Sequence, residues 1–149
     1  MNVVVLAAGK GKRMHSSLPK VLQALAGRPL LDHVLDATAG LADHPRVVVI
    51  GHAADIVRKH YEGRTDIVFA FQQEQLGTGH ALMQALAAIN PEDPLTLVCL
   101  GDVPLLSQKT LMAMAEAGAD GSFTNSRAFG SNRIWTHCAQ CFRCRSFNR

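Results

Sequence analysis

The chain has 149 residues, of which 48% are hydrophobic, and carries a formal net charge of +3. This length and composition exclude an intrinsically disordered protein and suit one globular domain with a single core. The longest apolar runs, residues 3–8 and 95–100, are far shorter than the roughly 20 residues that cross a bilayer. No basic residue precedes the first run, so it predicts a strand rather than a secretory signal, and we expect a cytoplasmic protein without a membrane partner.

Apolar runs alternate with helical patterns along the first 120 residues. Strands are predicted at residues 2–7, 46–51, 67–71 and 95–100. Helical spacing of apolar residues appears in residues 30–35, 56–61 and 79–89. Strands that are apolar throughout imply burial on both faces. The pattern therefore predicts an α/β fold, a Rossmann-like and mostly parallel sheet with helices on both faces, whose ligands bind at the carboxyl ends of the strands.

A turn of small residues and bases follows the first predicted strand, with the sequence LAAGKGKRM over residues 6–14. Small side chains let backbone N–H groups approach a ligand, and bases complement phosphate charge. No acidic residue precedes Asp32, so the early bases form an uncompensated positive field: Lys10, Lys12, Arg13, Lys20 and Arg28. The glycine spacing of this turn matches neither the dinucleotide-binding motif nor the P-loop motif. The turn predicts a polyphosphate site, and a solvated basic loop is the alternative.

Composition changes near residue 120. All 12 acidic residues lie at or before Asp120, whereas five of the 15 basic residues lie after it. The cysteine content changes at the same place. Cys99 is the one cysteine before residue 120, and Cys138, Cys141 and Cys144 lie near the end. The break predicts one domain over residues 1–120 and a basic tail of separate origin over residues 121–149.

Three motifs in order resemble those of the sugar-1-phosphate nucleotidyltransferase family. They are LAAGKG, RM and LPK within residues 6–20, QQEQLGTGHA at residues 72–81, and LGDVPL at residues 100–105. The resemblance is greatest to uridylyltransferases that act on N-acetylglucosamine-1-phosphate. It implies that UTP and this sugar phosphate give UDP-N-acetylglucosamine and pyrophosphate, for cell-envelope precursors, without a nucleic-acid partner. Another nucleotidyltransferase, or a nucleotide-binding module without turnover, is the alternative.

The resemblance also implies which residues bind the nucleotide. Backbone groups would line the uridine pocket at Leu6, Ala7, Ala8 and Gly9. Base recognition would be completed by Gln72, Gly77 and Thr78, because uracil offers a donor flanked by acceptors. Taken alone, Thr78 is equally suited to cap a helix and Gln72 to lie in a solvated loop. His80 is expected to be a packed or capping residue, because an anionic sugar phosphate needs no general base.

Charged residues of the motifs are implied to act on the phosphates. Lys20 would reach them and Arg13 would hold the departing pyrophosphate, which makes these two the expected catalytic residues. Leu100, Gly101 and Asp102 would complete the substrate contacts. Asp102 would also bind Mg²⁺, the implied cofactor, since Mg²⁺ prefers carboxylate and phosphate oxygens.

The sequence departs from the family pattern at several points. Lys12 stands where the family usually has threonine, and Leu100 where it has tyrosine. The resemblance stops near residue 121. The sugar contacts, the second metal ligand and the acetyltransferase domain on which the family's trimer depends are expected to be missing. The sheet should therefore be incomplete at its carboxyl end, the chain poorly active, and its oligomeric state open.

The tail after residue 121 allows two interpretations. Cys138, Cys141 and Cys144, with His137, have spacings that suggest a zinc cluster. Three ligands on consecutive turns do not easily close a tetrahedron, so unselected sequence is favoured. Residues 122–149 lack the pattern of a strand or helix that pairs with the domain.

Overall fold

The structure is a computed structural model that describes residues 1–11 and 16–119 in full and residues 139–142 as backbone. Its elements in chain order are β1 (Asn2–Leu6), a 3-10 turn (Lys20–Leu22), β2 (Ala24–Leu25), β3 (Arg28–Pro29), α1 (Leu30–Ala37), β4 (Arg46–Ile50), α2 (Ala54–His60), β5 (Ile67–Phe71), α3 (Thr78–Ala85), β6 (Thr96–Leu100), α4 (Gln108–Ala119) and β7 (Ala139–Phe142). Each predicted strand is found to within one residue at either end.

The main sheet has the strand order β5-β4-β1-β6-β7. β1 lies between β4 and β6, and both pair with it in parallel, as β5 does with β4. Alternate residues of β1 point to opposite faces. Val3 and Val5 pack in a cluster with α1, α2 and α4, whereas Val4 packs in a second cluster with α3. The predicted α/β fold, a mostly parallel sheet covered by helices on both faces, is confirmed.

Helix α4 was outside the predicted elements. Its buried residues follow helical spacing, at Leu111, Met114, Ala115 and Gly118. Met112, on the same helix, is 48% exposed, so apolar residues also lie on the outer face and blur the periodic signal. Among the described residues, no helix has both the length and the apolar character needed to span a membrane.

The backbone of residues 139–142 forms β7, antiparallel to β6, with register from Thr96↔Phe142 to Cys99↔Ala139. The prediction that residues 122–149 contain no paired element is therefore wrong at this strand. The segment pairs without a strand pattern in its sequence because a sheet edge needs only backbone N–H and C=O groups, which any extended segment without proline can supply. The suggested zinc ligands Cys138, Cys144 and His137 lie outside the described residues.

A buried arginine ties the start of β4 to the loop before β5. Arg46 is 6% exposed, and its guanidinium donates hydrogen bonds to the Leu35 carbonyl and the Asp66 carboxylate. Arg64 donates to the same carboxylate, with its Nε 2.8 Å from Asp66 Oδ1. The hydrogen bond from Arg64, aided by the charge of Arg46, lowers the Asp66 pKa from its ordinary value of 3.8 to about 2.

This pairing predicts an acid-sensitive contribution to stability. Because the folded pKa of Asp66 lies below its unfolded value, the contribution is present above about pH 4 and is lost as the pH falls toward 2. Asp66→Asn should lower the free energy of unfolding at pH 7 and flatten its decline between pH 4 and 2. Urea unfolding at a series of pH values measures this. Asp55→Asn, on the exposed side of α2, is the control, and an equally steep acid decline in both variants would contradict the prediction.

Candidate functional site

A cavity of about 360 Å³ opens where β1, β5 and β6 end and α3 begins. Parallel strands bring their carboxyl ends to the same edge of a sheet, so the loops that follow them meet there. The cavity is lined by Leu6, Ala7, Ala8, Gly9, Lys20, Val21, Gln72, Gln75, Gly77, Thr78, Ala81, Leu100 and Asp102. All three motifs of the sequence therefore contribute to one cavity.

Most of the predicted site residues lie in this wall. They are Leu6, Ala7, Ala8, Gly9, Lys20, Gln72, Gly77, Thr78, Leu100 and Asp102. Gly101 is not among the lining residues; its N–H donates to the Leu6 carbonyl at 2.9 Å. Arg13 lies outside the described residues. Val21, Gln75 and Ala81 line the cavity without having been predicted, although each adjoins or lies within a motif.

The turn after β1 presents backbone to the cavity. The Ala7 N–H donates to the Val49 carbonyl, and the Ala8 carbonyl accepts from the His52 N–H. Within residues 1–11 and 16–119, the N–H groups of Ala8 and Gly9 have no hydrogen-bond partner. A Cβ at Gly51 would lie 3.0 Å from the Ala8 Cβ, so a glycine there lets the end of β4 support the turn closely. The end of β4 and the residue after Gly51 therefore support the turn, while the N–H groups of Ala8 and Gly9 remain available to a ligand.

Lys20 and Asp102 form an ion pair at the cavity, from Nζ to Oδ2. Lys20 starts the 3-10 turn after Pro19, and Asp102 follows the end of β6. Their side chains are 34% and 29% exposed. Gly11 has a φ of +59°, and a Cβ there would lie 2.9 Å from the Lys20 Cβ, so this glycine allows the loop to fold against the lysine stem.

The prediction that the five early basic residues have no acidic partner is wrong for two of them. Lys20 pairs with Asp102, and Arg28 pairs with Asp36 at 2.8 Å. The hydrogen bond and charge of Asp36 raise the pKa of Arg28. Lys12 and Arg13 lie outside the described residues, and Lys10 is exposed. Two of the five early positive charges, those of Lys20 and Arg28, are therefore neutralised by acids from later in the chain.

Asp102 is the carboxylate among the lining residues of the cavity, and it is paired with Lys20. In the part of the chain that the structure describes, no group of three or more His, Cys, Asp or Glu residues is arranged to hold a metal. A single carboxylate such as Asp102 suits a hard cation that takes one ligand from the protein and its other ligands from phosphate and water. The donor set therefore fits Mg²⁺ or Mn²⁺ together with a nucleotide, and it does not fit a closed structural site.

Gln72 is 3% exposed, so its alternative interpretation as a solvated loop residue is wrong. Its Nε2 lies 3.1 Å from the Gly77 carbonyl oxygen and 3.0 Å from His80 Nδ1. The other ring nitrogen of His80, Nε2, lies 3.2 Å from the Gln84 amide nitrogen. Gly77, with a φ of +100°, occupies the cap of α3, and Thr78 is the first helical residue, which overturns the N-cap alternative for Thr78. His80 is half-buried and contacts both glutamines, which fits the predicted packed or capping role.

Comparison with known proteins identifies a related family. The sequence profile of the MobA-like NTP transferase domain matches residues 3–147. The bifunctional protein GlmU of Burkholderia mallei is 54% identical over 123 residues, which are 83% of this chain and 27% of that protein. The chain thus spans about a quarter of the length of the curated relatives it matches.

Solved structures give the same fold. A nucleotidyl transferase from Methanothermobacter thermautotrophicus has a TM-score of 0.67 and 28% identity, over 77% of this chain and 56% of that one. Rv0371c from Mycobacterium tuberculosis, in a complex with manganese, has a TM-score of 0.65 and 25% identity, over 80% of this chain and 59% of that one.

Proposed function

The chain belongs to the family of MobA-like NTP transferase domains, and we propose that its cavity binds UTP for a sugar nucleotidyltransferase reaction that forms UDP-N-acetylglucosamine. The proposal depends above all on one observation, the convergence of three separate motifs on a single cavity at the carboxyl ends of the strands. The likeness to GlmU supports a sugar phosphate as the second substrate.

The uracil ring suits the polar groups of the cavity wall. Uracil carries an N–H donor between two carbonyl acceptors. Gln72 supplies an amide side chain, and Ala8 and Gly9 supply N–H groups that have no partner within the described residues. A buried ligand must satisfy such groups, because an unpaired polar group away from water costs about 1–3 kcal/mol. We therefore assign the nucleobase to this end of the cavity.

Lys20 and Asp102 are assigned to the phosphates. A phosphate oxygen of N-acetylglucosamine-1-phosphate would attack the α-phosphorus of UTP, and the bond to the β-phosphate oxygen would break, which releases pyrophosphate. The nucleophile is already anionic, so no base is required. Lys20 would leave Asp102 and donate to a phosphate oxygen, and Asp102 would then be free to hold Mg²⁺. When bound, the metal ion would neutralise phosphate charge and orient the reacting groups.

Nucleotide selectivity tests the proposal. We expect UTP with Mg²⁺ to bind at least about tenfold more tightly than ATP, because adenine lacks the acceptor-donor-acceptor edge of uracil and one lost hydrogen bond of this kind is worth about 1–1.5 kcal/mol. Isothermal titration with each nucleotide measures it. Equal affinity, or tighter ATP binding, would refute the uridine assignment. Pyrophosphate release on addition of the sugar phosphate would favour an enzyme over a binding module.

Gly9 offers a direct test of the base site. Its φ is not positive and a Cβ there would meet nothing within 4 Å, so the fold itself does not require glycine. Gly9→Ala should leave the free energy of unfolding within about 0.5 kcal/mol while it weakens UTP binding about tenfold or more, because the methyl group enters the cavity wall. Gly79→Ala, also open at Cβ and outside the lining residues, is the matched control. Unchanged UTP affinity in Gly9→Ala would place the ligand elsewhere.

A further inference from the structure

We infer that His80 is a positioning residue that orients the Gln72 amide so that its oxygen is left for the ligand, which makes the site selective for a pyrimidine with an N–H at the facing position. This inference rests on the proposed function. His80 does not line the cavity, whereas Gln72 does. The inference gives His80 an indirect role in base specificity, through its contact with Gln72.

The orientation of the Gln72 amide follows from its neighbours. The Gly77 carbonyl can only accept a hydrogen bond, so the amide nitrogen, 3.1 Å away, must face it. The second hydrogen of the same nitrogen meets His80 Nδ1 at 3.0 Å. Both amide hydrogens are then used. The atom that remains for a ligand is Oε1, which has no hydrogen-bond partner within the described residues.

The same contacts determine the tautomer of His80. Because Gln72 donates to Nδ1, that nitrogen must accept, and the ring proton belongs on Nε2. The Gln84 Nε2 atom lies 3.2 Å from His80 Nε2 and 3.5 Å from the His80 carbonyl oxygen. Because a neutral ring cannot accept at both nitrogens, and the Gly77 carbonyl holds the Gln72 nitrogen in place, the Gln84 amide is the one that must turn its oxygen toward Nε2–H. Donation runs in one direction from Gln72 to His80 to Gln84. With the Gln72 nitrogen held by the Gly77 carbonyl, this is the arrangement that avoids two donors or two acceptors facing each other at the His80 ring.

This arrangement discriminates between uracil and cytosine. Uracil N3 carries a hydrogen that can be donated to Gln72 Oε1, whereas cytosine N3 is an acceptor in the same position. A buried site built to accept a hydrogen bond rejects an analogue that lacks the donor far more strongly than a site that differs only in apolar contact. If the amide were free to turn, it could serve either base. The Gly77 carbonyl and His80 Nδ1 together remove that freedom.

Paired variants at position 80 test the inference. His80→Asn keeps an acceptor, Oδ1, close to the position of Nδ1, and His80→Phe keeps the bulk of the ring without an acceptor. Titration of the full chain with UTP, CTP and tripolyphosphate, each with Mg²⁺, measures base and phosphate binding separately. We expect wild type and His80→Asn to prefer UTP over CTP at least about 30-fold, and His80→Phe to reduce that preference to less than about fivefold. Tripolyphosphate affinity should stay within about twofold throughout.

Gln84 supplies a second test that leaves His80 in place. Gln84 does not line the cavity, so Gln84→Met can act on the base only through the His80 ring. It should reduce the UTP preference about two- to fivefold. An unchanged preference in both His80→Phe and Gln84→Met, measured on folded protein, would overturn the role of His80. No preference for UTP in the wild-type chain would instead refute the proposed function, so the two failures are distinguishable.

Discussion

Replacement of Lys20 by methionine is expected to weaken binding of UTP with Mg²⁺ about 10- to 100-fold. A charge-assisted hydrogen bond to phosphate contributes roughly 1.5–3 kcal/mol, and each 1.4 kcal/mol is a factor of ten in affinity. The pair with Asp102 must open first. Because both side chains are about one third exposed, that pair is worth only about 0–1 kcal/mol and does not cancel the gain.

The control for this prediction is Lys59→Met, an exposed lysine on α2 away from the cavity. It changes the net charge by the same amount, so any general loss of attraction for an anionic nucleotide appears in both variants. Isothermal titration at two salt concentrations measures the difference. If the two variants lose affinity equally, Lys20 contributes only general positive charge. Lys20→Met should also bind Mn²⁺ alone more tightly than wild type does, because the ammonium no longer competes for Asp102.

Leu97→Ala is expected to lower the free energy of unfolding by about 2–5 kcal/mol, the range observed for large buried side chains replaced by alanine. Leu97 is 0% exposed and lies in β6 beside Val3 of β1. It packs in the larger core cluster, which joins the sheet to α1, α2 and α4. A domain of this size has only about 5–15 kcal/mol of stability, so the variant should be near the limit of folding.

Urea unfolding monitored by circular dichroism measures this loss. Leu105→Ala is the control, because Leu105 is 87% exposed in the loop after β6 and should change stability by no more than about 0.5 kcal/mol. A loss below about 1 kcal/mol for Leu97→Ala would mean that β6 is not packed at the centre of the sheet as described. The cavity at the carboxyl end of β6 would then lack its support.

The strands and the ligand loops could be predicted because their signals are local. Runs such as residues 46–50 contain only apolar and β-branched residues after Arg46, and this pattern needs burial on both faces wherever the strand lies in the sheet. The motif residues adjoin the carboxyl ends of β1, β5 and β6, so the parallel arrangement alone was enough to expect them at one edge. Helix α4 escaped prediction because its outer face is also apolar.

By itself the sequence determined the α/β class, the strand positions and the residues that meet at the cavity, since each depends on local pattern or on chain direction. Only the tertiary structure decided how those residues are partnered. Lys20 and Asp102 are 82 residues apart in the chain and meet because β6 lies beside β1. Gln72 is buried because α3 begins beside it, and β7 pairs because the edge of β6 is open. Such contacts depend on strand order, which no local pattern specifies.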